Sequence, residues 1–164
     1  MISSMWTTAG FAIQQDVNDN ALYGAGGSTP AIDGAQFSLA GYTLTVGDGD
    51  NFGMTDSISI GTLIDGEGTV EFQGNSSSIG GFGDAAHKLS AINVSGIAGK
   101  IVSVGSEDGS PLFAVTTTVG AGGLTLWGNL TGTTLNFSSA ANATGTVTLA
   151  DTGVNLNVNV TNDQ

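Results

Sequence analysis

Between Leu124 and Val160, apolar and small polar residues alternate along the chain. The apolar positions are Val147, Leu149, Val154, Leu156, Val158 and Val160, and the polar positions include Thr146, Thr148, Asn155, Asn157 and Asn159. A period of two residues is the pattern of a β-strand with one buried face and one solvent-exposed face. Gly, Ser and Asn separate the alternating segments. The pattern therefore predicts short strands joined by turns.

The same reasoning predicts strands throughout the chain from residue 36 onwards. The predicted segments are 36–46 with a break at Gly41, 56–64, 68–73, 89–95, 99–104, 111–119, 123–127, 132–137, 145–150 and 153–161. Turns rich in Gly and Asp bracket them, and helix-forming residues are scarce. We predict an all-β repeat domain over residues 36–164, preceded by an irregular N-terminal cap or docking arm over residues 1–35. The serine cluster at 76–78 is predicted to be a loop.

Regularly spaced short strands fit two architectures. One is a β-sandwich or jelly roll of antiparallel strands that carries an N-terminal arm. The other is a Gly-rich β-solenoid, or β-helix, whose coils stack so that inward Val, Ile and Leu form continuous ladders. Three features favour the solenoid. They are the abundance of Gly at corners, the outward row Asn155, Asn157 and Asn159, and the similarity of segments 68–72 (GTVEF), 132–137 (GTTLNF) and 145–149 (GTVTL).

Composition and charge exclude several classes of partner. The chain has 27 glycines, no cysteine, two lysines and no arginine, and its formal net charge is −12 at pH 7. Nucleic acids and anionic membrane surfaces attract proteins through Lys and Arg, so neither is an expected partner. No run of residues approaches the ~20 apolar residues of a transmembrane helix. Polarity comes from Thr, Ser and Asn, which is typical of exported surface proteins, and the absence of a recognisable signal peptide predicts a mature form or a segment of a longer protein.

Two regions of the sequence resemble a known family. Residues 68–74 (GTVEFQG), followed by Ile79-Gly80 and by 85–94 (AAHKLSAINV), resemble the passenger repeats of rickettsial outer-membrane surface antigens, and 11–15 (FAIQQ) is similar to the start of the mature passenger. Those proteins are autotransporters. The resemblance implies a β-helical passenger that is displayed outside the cell for adhesion or as a surface coat. The family has no catalytic residues to carry over, and its C-terminal translocator barrel has no counterpart in this sequence, which implies a fragment or a free-standing subunit.

An acidic turn is the candidate metal site. Asp48, Asp50 and Asn51, with Asp56 nearby, place oxygen ligands on a Gly-containing loop, as Ca²⁺ requires. A solvated corner is the simpler interpretation of the same residues. We therefore expect no cofactor unless calcium binds at this turn.

Candidate catalytic groups are few. Asp65, Glu67 and Glu71 share strand parity, and carboxylates two residues apart on a strand lie about 6.5–7 Å apart, which suits an inverting glycosidase. Gly66 and Gly68, however, place the first two acids in a turn. His87 is the only histidine, and a lone histidine beside Asp84 is typical of a solvated turn. We predict that the protein is not an enzyme.

Association is the function that these features favour. Residues 7–13 could add as a strand to the exposed edge of a neighbour, with Trp6, Phe11 and Ile13 as the candidate contact residues, and the Asn155, Asn157 and Asn159 row is a second candidate interface. We predict an extracellular or cell-surface structural and adhesive protein that forms a homo-oligomer, filament or coat and contacts a host or neighbouring cell. The alternative is a polysaccharide-binding or polysaccharide-degrading β-helix protein. Ice binding through the threonine rows Thr43/Thr45, Thr131/Thr133 and Thr144/Thr146/Thr148 is a third hypothesis, which requires these rows to lie in register.

Overall fold

A computed structural model of the chain describes residues 10–12, 17–18, 36–49, 51–52, 59–62, 64–78, 81–94, 97–105, 109–138 and 145–163. These residues form strands and turns and contain no helix. The strands are β1 (Gly10–Ala12), β2 (Val17–Asn18), β3 (Gln36–Ser38), β4 (Thr43–Val46), β5 (Asn51–Phe52), β6 (Ser59–Gly61), β7 (Glu67–Phe72), β8 (Ser76–Ser78), β9 (Leu89–Val94), β10 (Ile101–Val104), β11 (Leu112–Val119), β12 (Gly123–Leu126), β13 (Leu130–Ser138), β14 (Thr146–Leu149) and β15 (Leu156–Asp163). No helix in this part of the chain could span a membrane.

The strands form three sheets in which each strand pairs with strands from the neighbouring coils. The long sheet has the order β2-β4-β7-β9-β11-β13-β15, the second sheet has the order β5-β8-β10-β12-β14, and the short sheet has the order β1-β3-β6. Every pairing between these strands is parallel. The chain therefore winds as a parallel β-solenoid, which confirms the predicted fold and excludes the antiparallel sandwich.

The coils differ in length although their strands stay in register. From Leu44 to its partner Val70 the chain advances 26 residues, whereas from Thr117 to its partner Leu135 it advances 18 residues. The strands that face the core must align, but the turns between them can take different lengths. This variation explains why the sequence shows only a degenerate repeat.

Stacked apolar ladders fill the interior. Leu44, Val70 and Ile92 lie one above another on the long sheet and are fully buried. The second sheet contributes parallel pairs such as Val104 with Leu126, and the buried residues together form one continuous cluster. Because each inward residue packs on its equivalent in the next coil, a coil has a complete core only when it is covered on both sides.

Two of the three similar segments occupy equivalent places in the solenoid. Segments 68–72 and 132–137 both lie on the long sheet, where the pairings through β9 and β11 align Val70 with Leu135 and Phe72 with Phe137. Segment 145–149 lies on the second sheet instead. The similarity between segments 68–72 and 132–137 therefore reflects a structural repeat. The similarity of segment 145–149 to these two does not, because it lies on a different sheet.

The predicted break at Gly41 is confirmed, since segment 36–46 forms two strands, β3 and β4, separated by a turn in which Gly41 has φ +83°. Two other predictions need adjustment. Residues 76–78, which were predicted to be a loop, form strand β8 and pair with β10; three consecutive serines show no alternation that would indicate a strand. Within the predicted N-terminal segment, β1 and β2 pair with β3 and β4. The domain boundary near residue 35 stays a prediction.

Candidate functional site

The outer surface of the long sheet carries two rows of side chains in register. One row is Thr43, Thr69, Ala91, Thr116, Thr134 and Asn159, and the other is Thr45, Glu71, Asn93, Thr118, Asn136 and Thr161. Members of a row are about 4.8 Å apart along the solenoid, and the rows are about 6.6 Å apart. Apart from Ala91 and Glu71, every member is Thr or Asn. This face is therefore a regular array of hydroxyl and amide groups with little charge.

The threonine pairs considered for ice binding do not share one face. Thr43 and Thr45 belong to the two outer rows of the long sheet. Thr131 pairs with Phe113, away from both rows, and Thr133 lies where the register between β13 and β15 shifts. Thr146 and Thr148 lie on the second sheet, and Thr144 lies outside the described residues. The three sets of threonines are therefore not in register with one another.

The predicted asparagine row lies at the last described strand. Asn157 and Asn159 are exposed on β15, whereas Asn155 lies at the corner that precedes it. The side-chain amide of Asn157 donates a hydrogen bond to Thr131 Oγ1 at 3.4 Å, and that of Asn155 donates to the carbonyl oxygen of Gly153 at 2.9 Å. Asn157 and Asn159 therefore share the exposed face of β15, and Asn155 precedes that strand.

The other predicted interface residues lie in the N-terminal segment. Phe11 lies in β1, where it pairs with Phe37. Its side chain, and all of Trp6 and Ile13, lie outside the described residues. An interface at the arm or at the asparagines stays a prediction.

Side chains at the corners cap the backbone of the next coil. Asp48 Oδ1 accepts a hydrogen bond from the N–H of Asn75 at 2.7 Å, and Asn75 Oδ1 in turn accepts one from the N–H of Ile101 at 2.8 Å. At a corner the backbone leaves the sheet ladder, so its donors need other partners. These side chains supply the partners from one coil to the next, and they fix the register of the coils where the sheets do not.

The same device occurs at two further corners. Asp65 Oδ1 accepts a hydrogen bond from the N–H of Lys88, and Asn129 Oδ1 accepts one from the N–H of Asn155, both at 2.8 Å. Sequence reasoning missed this role because the donors are 23 and 26 residues away from their acceptors. Only the register of the coils shows which residues meet.

Both lysines of the chain bind these corner carboxylates. Lys100 Nζ lies 2.8 Å from Asp48 Oδ2, and Lys88 Nζ lies 3.5 Å from Asp65 Oδ1. The hydrogen bond from Lys100, followed by that from the N–H of Asn75, lowers the pKa of Asp48. The N–H of Lys88 is the main cause that lowers the pKa of Asp65. Exposed ion pairs stabilise little by themselves, so the capping of the backbone is the main role of these carboxylates.

These contacts bear on the predicted calcium turn. The carboxylate of Asp48 already binds Lys100 and the N–H of Asn75. Asp50, Asp56 and the side chain of Asn51 lie outside the described residues. Across the residues that the structure describes, no cluster of three or more acidic or histidine side chains could hold a metal ion. Calcium binding at the Asp48 turn stays a prediction.

The candidate catalytic acids do not form a matched pair. Asp65 lies in a corner where Gly66 has φ +83°, so the expected spacing to Glu67 along a strand does not apply. Glu67 and Glu71 are four residues apart on β7, which separates them by about 13 Å, beyond the range of glycosidase carboxylates.

His87 lies in an exposed local turn. Asp84 Oδ1 accepts hydrogen bonds from the backbone N–H groups of Ala86 and His87 at 2.7 and 2.8 Å. His87 Nδ1 lies 3.3 Å from Asp84 Oδ2. An aspartate that binds the N–H groups of the residues that follow it is a common turn device. These contacts account for the arrangement of both side chains.

Comparison of the chain with models of protein families, with curated proteins and with solved structures gives no match. The chain is a parallel β-solenoid. The passenger repeats of the rickettsial surface antigens, which the sequence resembles, imply the same fold.

The solenoid should lose stability in acid, because protonation removes the stabilising effect of the corner carboxylates. Because the folded pKa of Asp48 lies below its ordinary value of 3.8, its stabilising effect is complete above that value and is lost as the pH falls through the folded pKa. We expect Asp48→Asn to lower the urea midpoint at pH 7 and to narrow the difference between the midpoints at pH 7 and about pH 3. Glu71→Gln, on the outer row of β7, is the control and should leave that difference unchanged. An unaltered pH difference in Asp48→Asn would contradict the expectation.

Proposed function

We propose that the chain is a structural and adhesive module of an extracellular surface protein, and that it associates end to end through the open edges of its solenoid. Parallel ladders, in which each coil supports the next, suit a rigid rod that displays its faces away from a surface. The Thr and Asn rows of the long sheet would be the displayed face. The resemblance of residues 68–74 and 85–94 to passenger repeats of rickettsial surface antigens also supports a surface location.

The observation that carries this proposal is a change in burial at the last coil. Leu126 and Leu149 are register partners on β12 and β14, but Leu126 is 0% exposed and Leu149 is 42% exposed. Leu135 and Val160 are partners on β13 and β15, with exposures of 1% and 59%. An inward position is thus buried where a further coil covers it, and it is exposed at the end of the described solenoid. Stacking of another coil would remove this apolar surface from water.

The partner that fits this end is the opposite end of a second copy. The long sheet runs from β2 to β15 and the second sheet from β5 to β14. Because the strands of the long sheet are all parallel, a second copy in the same orientation can continue that sheet, and its β2 would pair with β15. A head-to-tail contact of this kind does not close on itself, so it builds filaments.

Analytical ultracentrifugation and negative-stain electron microscopy of the purified chain test the proposal. We expect linear assemblies whose length grows with concentration. Val160→Glu places a charge in the stacking surface and should give monomers with an unchanged circular dichroism spectrum. Thr161→Glu adds the same charge at the neighbouring outward position and should still assemble. Monomers at every concentration of the unmodified chain would refute end-to-end association.

The same preparation tests the calcium prediction. If calcium binds at the Asp48 turn and supports assembly, EDTA should shorten the filaments and added Ca²⁺ should restore them. Filaments that are equally long in both conditions would show that assembly does not depend on calcium.

A further inference from the structure

A tryptophan and a row of hydroxyl groups form a patch on the outer surface of the second sheet. Ser103, Thr125 and Thr148 are register partners on β10, β12 and β14. Trp127 follows β12. The N–H of Trp127 donates to the carbonyl oxygen of Val104, and the N–H of Ala150 donates to that of Leu126. These bonds extend the pairing beyond the strands, so that Trp127 lies between Gly105 and Ala150. We call these six residues the Trp127 patch.

The Trp127 side chain lies across the sheet. Its Nε1 donates a hydrogen bond to Ser103 Oγ, on the preceding coil, at 3.0 Å. A ring that starts beside β12 and reaches β10 must extend along the surface of the sheet. Trp127 is still 40% exposed. The indole is therefore partly open to solvent, while its Nε1–H is held by Ser103.

We propose that the Trp127 patch binds a neutral saccharide. The face of an aromatic ring is electronegative and attracts the weakly positive C–H groups on the flat side of a sugar ring. The sugar hydroxyls can exchange hydrogen bonds with Ser103, Thr125 and Thr148, since each hydroxyl both donates and accepts. Along β12, Trp127 lies two residues beyond Thr125, about 7 Å away, and neighbouring hydroxyl groups of the row are about 5 Å apart.

Charge decides which kind of saccharide fits. None of the six patch residues is charged, so the patch offers no cation for an acidic sugar and no carboxylate for a basic one. The formal net charge of −12 further disfavours anionic ligands. The patch lies on the side of the solenoid, so saccharide binding does not depend on end-to-end association.

A panel of neutral oligosaccharides built from glucose, galactose, mannose and N-acetylglucosamine tests the proposal, with tryptophan fluorescence as the readout. Trp6 is the only other tryptophan, so titrations in the Trp6→Phe background report Trp127 alone. We expect a saturable change in the Trp127 emission with at least one oligosaccharide. A panel with no saturable response, or a response to tetramethylammonium but to no sugar, would overturn the proposal, since the latter would indicate a cation–π site.

Variants separate binding from a purely structural role of Trp127. In calorimetric titrations with the responding sugar, Trp127→Ala should weaken binding at least about tenfold, because aromatic anchors dominate such contacts. Thr148→Glu, at an exposed position of the patch, should weaken binding while the unfolding midpoint stays unchanged. Ile64→Ala, at an exposed apolar site outside the patch, and Val160→Glu should bind as the unmodified chain does. Unchanged affinity in both Trp127→Ala and Thr148→Glu would show that the sugar binds elsewhere and would refute the patch.

Discussion

Phe72→Ala should lower the free energy of unfolding by about 3–5 kcal/mol, the usual cost of removing a buried aromatic side chain. Phe72 is 1% exposed and lies in an inward row between Val46 and Val94. Its ring meets that of Phe82 edge to face, with centroids 5.9 Å apart. The neighbouring coils cannot close the cavity, because the main-chain ladders of the long sheet hold them at a fixed spacing. Chemical unfolding followed by circular dichroism measures the loss.

Glu71→Ala is the matched control on the same strand. Glu71 points outward and is exposed, so its truncation should change the unfolding free energy by less than about 0.5 kcal/mol. Hydrogen exchange gives a second readout. Because a coil contacts only its neighbours, Phe72→Ala should reduce protection around β4, β7 and β9 more than around β13 and β15. A loss below about 1 kcal/mol, or one equal to that of the control, would contradict the assignment of Phe72 to the core.

Residue alternation predicts most strands of this chain because each strand has one face in the core and one in solvent. The segments that escaped prediction lack that contrast. Ser76–Ser78 is uniformly polar, and Asn51–Phe52 is too short to alternate. Thr117 is a polar residue at an inward position, where alternation predicts an apolar one. It is fully buried in the ladder between Ile92 and Leu135. Its hydroxyl group has no hydrogen-bond partner in the described part of the chain. Nothing in the structure explains that threonine.

The contacts between coils could not be predicted, because coil length varies. Asp48 was identified from its acidic turn, yet its partners Asn75 and Lys100 are 27 and 52 residues away. Trp127 and its hydrogen-bond partner Ser103 are 24 residues apart, so their contact is not visible in the sequence either. If every coil had the same number of residues, the partner of each residue could be found by adding that number to its position. With coils of unequal length, the register has to be seen before the corner caps or the Trp127 patch can be recognised.

Gly132→Ala should destabilise the solenoid by about 2–3 kcal/mol, as expected when an added methyl group has no room. Gly132 pairs with Ala114 on β11 and lies where the pairing of β13 with β15 shifts register between Thr131 and Thr134. A Cβ atom at Gly132 would collide with the carbonyl oxygen of Ala114. That oxygen belongs to the backbone of a central strand, so it cannot rotate away as a side chain would. Either β13 shifts from β11 or the irregularity is lost.

Gly153→Ala is the control for the loss of glycine itself. A Cβ atom at Gly153 would meet no atom within 4 Å, so alanine there should be neutral or stabilise the fold by about 0.4–1 kcal/mol through the entropy of the unfolded chain. Urea unfolding of both variants, followed by circular dichroism, compares the two glycines directly. The difference between them isolates the steric effect at the β11–β13 contact, because both substitutions remove the same backbone freedom. Equal midpoints for the two variants would mean that β13 can move without cost, and that the irregularity does not require glycine.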